Sequence, residues 1–304
     1  MSAILSILFV LIWSTGFIVA KGILPHAAPQ PFLVMRMLLS ALLLAAIALL
    51  RRDRWPTGPR VWSHLFTGAL LNGVYLCFAY TAIWRGMPAG IMALLSSAQP
   101  VGIAVWVYFA RGEKLPRSGV LGLVMAVFGV IFVLEPDLAN GQGGHIDAIG
   151  LAAAILAVTG MAVATTIQRS GLASDPVSVS TSLQNAGGIP VALAATMLDG
   201  NRLWDGTPAL WGLLAWSVIG LSAAGVSLVV WLSRHNGPAK MSALLLAVPP
   251  LSALEAFVLF SEKLMPMQII GFFLAIAGVF LTRVPASFLL ASLSRIRSIA
   301  GRLG

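Results

Sequence analysis

Two stretches decide the fold: PAGIMALLSSAQPVGIAVWVYFARGEKL, from Pro88 to Leu115, and PAKMSALLLAVPPLSALEAFVLFSEKL, from Pro238 to Leu264. Both begin with Pro-Ala, carry Ala-Leu-Leu and a second proline at the same offsets, and end in Glu-Lys-Leu after the later copy loses one residue. Gly122 and Gly129, which follow the first copy, have counterparts in Gly271 and Gly278. Because so many matches fall in register, we interpret the chain as two copies of one ancestral unit.

The composition indicates a membrane protein. Hydrophobic residues make up 59% of the chain and charged residues 10%, and the mean hydropathy is +0.93. Apolar stretches of about twenty residues, the length that spans a bilayer, recur almost from end to end. The apolar N-terminal stretch continues into a full span without a basic leader or a cleavage site, so we expect no signal peptide. The sequence therefore predicts an all-α integral membrane protein.

We predict ten transmembrane helices, five in each copy. A copy with an odd number of spans leaves the next copy upside down in the membrane, so we predict two inverted five-helix repeats around a central cavity. The first repeat covers residues 1–135, a connecting loop 136–148, the second repeat 149–283 and a basic amphipathic tail 284–304. The predicted spans are Ala3–Lys21, Pro31–Leu50, Val61–Ile83, Ala89–Phe109, Ser118–Leu134, Ile149–Ile167, Val177–Leu198, Pro208–Trp231, Ala239–Phe260 and Met267–Thr282.

The loop charges predict the orientation. With the N-terminus inside, the inner loops and the tail hold fourteen Lys and Arg residues and the outer loops hold four. The positive-inside rule then places both termini in the cytoplasm of a bacterial cell, with the chain in the inner membrane. The net charge of +9 has the same explanation, since the charges punctuate apolar segments and form no clustered basic face. We expect membrane lipid as a partner and no nucleic acid.

Several motifs resemble the drug/metabolite transporter superfamily in its EamA-like branch. They are Trp13-Ser14-Thr15-Gly16-Phe17 with Lys21, Arg36 with Ala41, and Ala79-Tyr80 followed by the first copy of the repeat. Overall the chain is similar to YddG-type exporters of aromatic and other neutral amino acids. The second half departs from the pattern, because Thr181 stands near the position equivalent to Arg36 and Thr165 near that of Lys21. The resemblance implies a secondary transporter without a cofactor.

Prolines predict where the helices are interrupted. A proline inside a span donates no backbone N–H, so Pro100, Pro249 and Pro250 free carbonyls one turn earlier. Helix breaks at corresponding positions of two halves are typical of a binding site at the membrane midplane, where loosened backbone lines a watery cavity. An ordinary kinked helix is the alternative. We assign these three prolines to helix breaking and gating.

Polar and aromatic side chains inside the spans predict the lining of the cavity. They recur at similar depth on several spans, although interhelical hydrogen bonding would also explain each one singly. Aromatic rings could stack on an apolar or aromatic substrate. The candidate substrate-binding residues are Trp13, Asn72, Tyr75, Tyr80, Ser96, Gln99, Gln184, Asn185, Ser227, Trp231 and Ser252.

Ionisable residues inside a membrane are costly and indicate function. Arg36 could bind a substrate carboxylate or pair within the protein, and Glu255 could bind a proton or an ammonium group or pair with a base. We consider both as candidates for charge coupling. Glu113 and Glu262, each next to a lysine at a span end, are interpreted as structural capping and pairing residues.

The predicted function is export of amino acids across the inner membrane by alternating access. A mostly uncharged cavity suits a zwitterion. A broad-specificity drug or metabolite efflux transporter would share these features, whereas a sugar or nucleotide-sugar carrier should carry more cations for phosphate. We predict no enzymatic activity, since no catalytic cluster, metal-ligand spacing or nucleotide loop is present in the sequence. Coupling to protons, the resting conformation and the oligomeric state are left open.

Overall fold

The fold was derived from a computed structural model that describes residues 2–97, 99, 103, 117–140, 146–168, 172, 174–235, 238–262 and 265–283. These residues are almost entirely helical, and their one extended pairing is an isolated antiparallel bridge between Ala27 and Trp204. Pro100 and the predicted amphipathic tail, residues 284–304, lie outside the described residues.

The helices follow the ten predicted spans, which we number in chain order. Within the described residues, five are long and apolar enough to cross a membrane, and three further stretches are apolar but shorter. The third and eighth spans each contain a π-helical segment between two α-helices. The spans are Ser2–Gly22, Pro29–Leu50, Pro59–Trp84, a fourth that begins with Ala89–Ser97, Arg117–Asn140, Ala148–Ile167, Val177–Asp199, an eighth from Pro208 to His235, Pro238–Phe260 and Pro266–Arg283.

Local sequence explains where several spans begin and end. Pro29, Pro59 and Pro208 occupy the first turn of their helices, where a missing N–H is not needed. Asp147 caps the sixth span, since its carboxylate accepts a hydrogen bond from the Gly150 N–H at 2.7 Å. The seventh span ends at Gly200, whose φ of +67° is the left-handed conformation that glycine adopts without strain.

The ninth span is a continuous helix, which corrects the predicted break at Pro249 and Pro250. The helix runs from Pro238 to Phe260 through both prolines. Each proline removes one backbone donor, but the turns before and after keep their own hydrogen bonds, and these are sufficient to continue the helix.

The irregular backbone lies in the third and eighth spans instead. π-Helical segments cover Ala69–Val74 and Trp216–Gly225, at corresponding places in the two halves. Such segments often mark functional sites, because the extra residue in the turn re-aims the side chains that follow it. The sequence analysis did not predict them.

The helices form two compact units. The first unit contains Met1–Ser97 and Asp137–Lys263, and the second contains Ala98–Pro136 and Leu264–Gly304. In the second unit the fifth and tenth spans pack through glycines, since a Cβ on Gly129 or Gly278 would overlap the backbone of the opposite helix. Close backbone approach through small residues is a common way for membrane helices to associate.

In the first unit the seventh span packs against the second and third. A Cβ on Gly187 would overlap the Leu65 carbonyl, and one on Gly68 would overlap the backbone of Gln184. The buried face of the seventh span is polar, whereas large apolar side chains are exposed on other spans. Apolar side chains on the outside and polar groups in the interior are expected of a helix bundle that is surrounded by lipid.

Ionic contacts join the loops at both ends of the first unit. At the end that holds Lys21, the His26 ring lies 2.6 Å from the Asp205 carboxylate and Arg85 lies 3.0 Å from Asp147. At the opposite end, which holds Arg60, Asp175 accepts hydrogen bonds from Arg60 and His64, each at 2.7 Å. We call these the Lys21 end and the Arg60 end.

Candidate functional site

Arg36 and Tyr80 form the centre of the candidate site. Arg36 lies seven residues after Pro29, which places it about 10 Å inside the second span. Its Nη1 donates a hydrogen bond to the Tyr80 hydroxyl at 3.0 Å. The Tyr80 side chain is buried and stacks on Phe32, with ring centroids 6.4 Å apart. A half-buried guanidinium is thus held by a phenol.

No acidic residue neutralises this guanidinium in the part of the chain that the structure describes. The five ion pairs there involve Lys21, His26, Arg60, His64 and Arg85 as the bases. A cation at membrane depth without a carboxylate is costly unless a ligand supplies one. An anionic ligand bound to Arg36 would therefore lower this cost.

Tyr75 and Ser96 extend this group toward the fourth span. Electrostatic interactions connect the Tyr75 hydroxyl with Ser96, Tyr80 and Arg36, and Ser96 Oγ is buried with no hydrogen bond to another described atom. Tyr75 follows the π-helical segment directly, so that segment sets the direction of its ring. Four of the predicted residues, Arg36, Tyr75, Tyr80 and Ser96, therefore lie together, and we call them the Arg36 cluster.

The seventh span contributes amides. Gln184 is buried, and its Nε2 makes no hydrogen bond to any described protein atom. Asn185 donates instead to its own helix, at the Thr181 carbonyl 2.8 Å away. Asn72 of the third span meets this helix at Gly188. Of the predicted amides, Gln184 is thus the one with an unused buried donor, while Asn185 is partly engaged by its own backbone.

Trp13 and Trp231 lie in a different environment, an apolar cluster that joins the first, eighth and ninth spans. Trp13 packs on Phe9 with ring centroids 5.5 Å apart, and Trp231 stacks on His235 at 4.2 Å. Both rings pack against the buried Phe9, Leu232 and Met241 cluster. Ser227, one turn before Trp231, is exposed. The contacts of these tryptophans are those of packing residues, and none joins them to the Arg36 cluster.

Glu255 lies in a second polar group, between the ninth and first spans. Ser14 Oγ is 2.6 Å from Glu255 Oε1 and 2.9 Å from the Leu11 carbonyl oxygen. Ser252 fixes this arrangement, because its hydroxyl donates to the Ser14 carbonyl at 2.7 Å. The other carboxylate oxygen of Glu255 is buried without a hydrogen bond to the described protein.

Sequence analysis identified Glu255 and Ser252 but not Ser14. The signal was available, since Ser14 lies in the first-span motif that carries the family resemblance. What the sequence could not give is the pairing of residues 241 positions apart. The same is true of Gln30, which donates to Thr81 at 2.7 Å and ties the second span to the third.

The structural role predicted for Glu262 is confirmed, with a different basic partner. Its carboxylate accepts hydrogen bonds from the N–H groups of Ala89 and Gly90, the first residues of the fourth span. Lys21 supplies the positive charge at 3.4 Å. Glu262 thus caps one helix and joins it to the end of the first span.

Gln99 belongs to the second unit. In the ninth span Pro249 is buried and Pro250 is exposed.

Comparison with known proteins gives relatives several of which are named as efflux pumps or transporters. Two probable amino-acid metabolite efflux pumps match, one from Escherichia coli at 26% identity and one from Salmonella typhimurium at 27%. Each match covers 91% of this chain and 93% of the relative. A WAT1-related chloroplast protein of Arabidopsis thaliana is 23% identical over 90% of this chain and 67% of its own length.

One solved crystal structure has the same fold. It matches 95% of this chain and 98% of its own with a TM-score of 0.62 and 18% sequence identity, so the likeness concerns the fold alone. The EamA-like transporter family matches twice, at residues 1–135 and 148–284, which together include nearly every span described above. This chain is therefore a member of the EamA-like transporter family.

Proposed function

We propose that this transporter exports neutral amino acids, aromatic ones among them, across the bacterial inner membrane. Both termini face the cytoplasm in this proposal, as the excess of Lys and Arg in alternate loops favours. The names of the Escherichia coli and Salmonella typhimurium relatives favour amino acids as the substrate class. The observation that carries the proposal is the half-buried guanidinium of Arg36, which among the described residues bonds the Tyr80 hydroxyl and pairs with no carboxylate.

An amino acid would complete the site in a simple way. Its carboxylate would bind Arg36 and thereby supply the missing negative charge, in a charge-assisted hydrogen bond that is about twice as strong as a neutral one. Asn72 and Gln184 would accept from the ammonium group through their amide oxygens. The rings of Tyr75 and Tyr80 provide surface for an apolar side chain. The negative charge of the substrate carboxylate is thus matched by Arg36, and the positive charge of its ammonium group by amide dipoles.

Counterflow into proteoliposomes tests the carboxylate contact. Wild-type protein should exchange phenylalanine, methionine and threonine but not phenethylamine, which keeps the ring and the amine of phenylalanine and lacks the carboxylate. Arg36→Gln should strongly reduce phenylalanine exchange at a low phenylalanine concentration, while Arg36→Lys should retain more of it. If wild-type protein exchanged phenethylamine as fast as phenylalanine, Arg36 would not be a carboxylate site.

A broad-specificity drug or metabolite efflux transporter is the alternative. The apolar cluster around Trp13 and Trp231 favours it, because aromatic walls accept many apolar cations. Efflux of cationic dyes from cells separates the two functions. Dye efflux together with no exchange of any amino acid would favour the alternative.

Glu255 is proposed to couple transport to protons. Ser14 has one hydroxyl proton and two acceptors within hydrogen-bond distance, Glu255 Oε1 and the Leu11 carbonyl. When Glu255 is ionised, Ser14 donates to it; when Glu255 is protonated, the carboxyl donates to Ser14 Oγ and Ser14 turns its own proton to Leu11. Both protonation states are therefore hydrogen-bonded, which is what a residue that gains and loses a proton inside a membrane requires.

The coupling role is tested separately from the binding role. Glu255→Gln should keep phenylalanine counterflow, which needs no net proton movement, and should lose accumulation driven by an imposed pH gradient. Ser14→Ala should weaken the same gradient response. Wild-type accumulation that ignores the pH gradient would exclude Glu255 as a coupling residue and leave the Arg36 proposal intact.

A further inference from the structure

A charged cavity lies at the Arg60 end of the first unit, away from the Arg36 cluster. Its volume is about 720 Å³, and it is lined by the loop between the second and third spans and by the residues just before the seventh span. Three arginines and two aspartates line it: Arg52, Arg54, Arg60, Asp53 and Asp175. Neither the resemblance nor the proposed transport site gives this cavity a role.

Both aspartates are engaged by protein donors. Asp175 accepts hydrogen bonds from Arg60 and His64. Its burial opposes ionisation, but the hydrogen bonds and charges of these two neighbours outweigh burial and lower the pKa of Asp175. Asp53 accepts a hydrogen bond from Ser178. Among the described residues, Arg52 and Arg54 have no acidic partner, so the cavity keeps an unbalanced positive charge.

Arg52 has a backbone conformation that favours glycine. Its φ is +56°, and the N–H groups of Arg52 and Asp53 bond the carbonyls of Leu49 and Ala48, as in the glycine-based ending of a helix. An arginine in this left-handed position is strained, and glycine would relieve the strain. A strained residue that supplies an unpaired charge to a cavity is a sign of function at the expense of stability.

The cavity lies where a phospholipid head group would reach it. It adjoins the end of the second span, hence the boundary between the hydrocarbon and water, and Trp55 in its wall is a side chain typical of that boundary. Basic pockets between membrane helices at this depth are suited to lipid phosphates. We propose that Arg52 and Arg54 bind the phosphate of an anionic phospholipid in this cavity.

Thermal unfolding of the purified full-length protein in detergent, with added lipid, tests the site. Phosphatidylglycerol should raise the unfolding temperature at a lower concentration than phosphatidylcholine does. Arg54→Gln and Arg52→Gly should each raise the half-maximal phosphatidylglycerol concentration about fivefold, the effect expected of one arginine near an anionic head group. Without lipid, Arg52→Gly should be at least as stable as the wild-type protein, which separates loss of the charge from loss of the fold.

Arg51→Gln is the matched control. Arg51 precedes Arg52 in the same exposed loop and has the same charge, but it does not line the cavity. It should keep the wild-type lipid response. An equal loss in Arg51→Gln would indicate general attraction to anionic lipid and would overturn the site. Protection by soluble glycerol 3-phosphate alone, without protection by phosphatidylglycerol, would overturn the assignment to a lipid.

Discussion

The third and eighth spans occupy equivalent places in the two halves and share a π-helical segment, yet they are packed differently. In the third span Gly68 and Gly73 leave no room for a side chain against the seventh span. In the eighth span the three atoms nearest a Cβ on Gly220 belong to the Trp216 ring, a Cβ on Gly225 would meet side chains of the first span at 3.3–3.4 Å, and Gly212 has no atom within 4 Å of that position. The third span is thus held at Gly68 by the backbone of another helix, while the eighth span meets its neighbour at Gly225 through side chains.

The ionic contacts at the start of the two spans also differ, since those of the third span are more buried. The third span is anchored through His64, which is fully buried, and Arg60, both bonded to Asp175. The eighth is anchored through the more exposed Asp205 and its contact with His26. One copy of the duplicated span has become a fixed support for the Arg36 cluster. The other meets the first span at Gly225 through the side chains of Trp13 and Ile12, which can rearrange more readily than backbone when a span moves.

The largest difference between the two spans is expected when the same small group is added to each. Gly68→Ala places a methyl group on the backbone of Gln184 and should cost about 3 kcal/mol of stability, with loss of folded protein after extraction. Gly220→Ala should cost about 1 kcal/mol, since the half-exposed Trp216 ring can turn away. Fluorescence-detected size exclusion after heating measures both, with Gly212→Ala as the unhindered control. Equal losses in the first two variants would contradict the comparison.

The next effect concerns transport. Arg36→Gln removes the cation that the third span supports through Tyr80 and should raise the half-saturating phenylalanine concentration about 30-fold. Thr181→Ala, at the equivalent position of the other half, should change it less than about twofold. Counterflow at varied phenylalanine concentration gives both values. Similar losses in the two variants would mean that the halves share the binding of the carboxylate.

A smaller effect is expected at the contact between the eighth span and the first. Trp216 Nε1 donates to Thr15 Oγ1 at 2.8 Å, and this hydrogen bond is partly exposed. Trp216→Phe keeps most of the ring and should lower stability by about 1 kcal/mol. Trp211→Phe, which changes a ring that packs edge-to-face on Trp204, is the control and should be closer to neutral. A loss confined to Trp211→Phe would show that ring packing matters more here than the hydrogen bond.

The smallest effect is expected from acid. Hydrogen bonds from the Thr207 backbone, His26 and the Thr207 hydroxyl lower the pKa of Asp205, with its slight burial acting in the opposite direction. A carboxylate with a depressed pKa contributes stability above the ordinary aspartate pKa, and this contribution is lost as the pH falls through the lowered value. Asp205→Asn should therefore be less stable than wild type at pH 7, and the gap should close below about pH 4. A gap that widens in acid would contradict this.

The sequence predicts the spans because hydropathy and duplication both act over long stretches of chain. Each described span begins within two residues of its predicted start. The positions of the π-helical turns could not be predicted from the sequence. Prolines inside a span predict a break, but Pro249 and Pro250 lie in a continuous helix, while the π-helical turns contain no proline. An extra residue in a helical turn depends on packing against neighbouring spans, and this leaves no mark in a single sequence.

In the candidate site, the charged residues could be predicted from the sequence, whereas the side chains that contact them could not. Arg36 and Glu255 are conspicuous because an ionisable residue is rare in an apolar stretch. That Arg36 meets Tyr80 while Glu255 meets Ser14 depends on which helices are adjacent, over 44 and 241 positions of sequence. Trp13 and Trp231 show the converse, since an aromatic ring inside a span can pack in an apolar cluster as readily as it can line a cavity.

The carboxylate of Glu262 holds the ends of three helices: its own ninth span, the fourth span through Ala89 and Gly90, and the first through Lys21. Whatever motion opens this end must therefore carry the three helices as one block, with the hinge elsewhere.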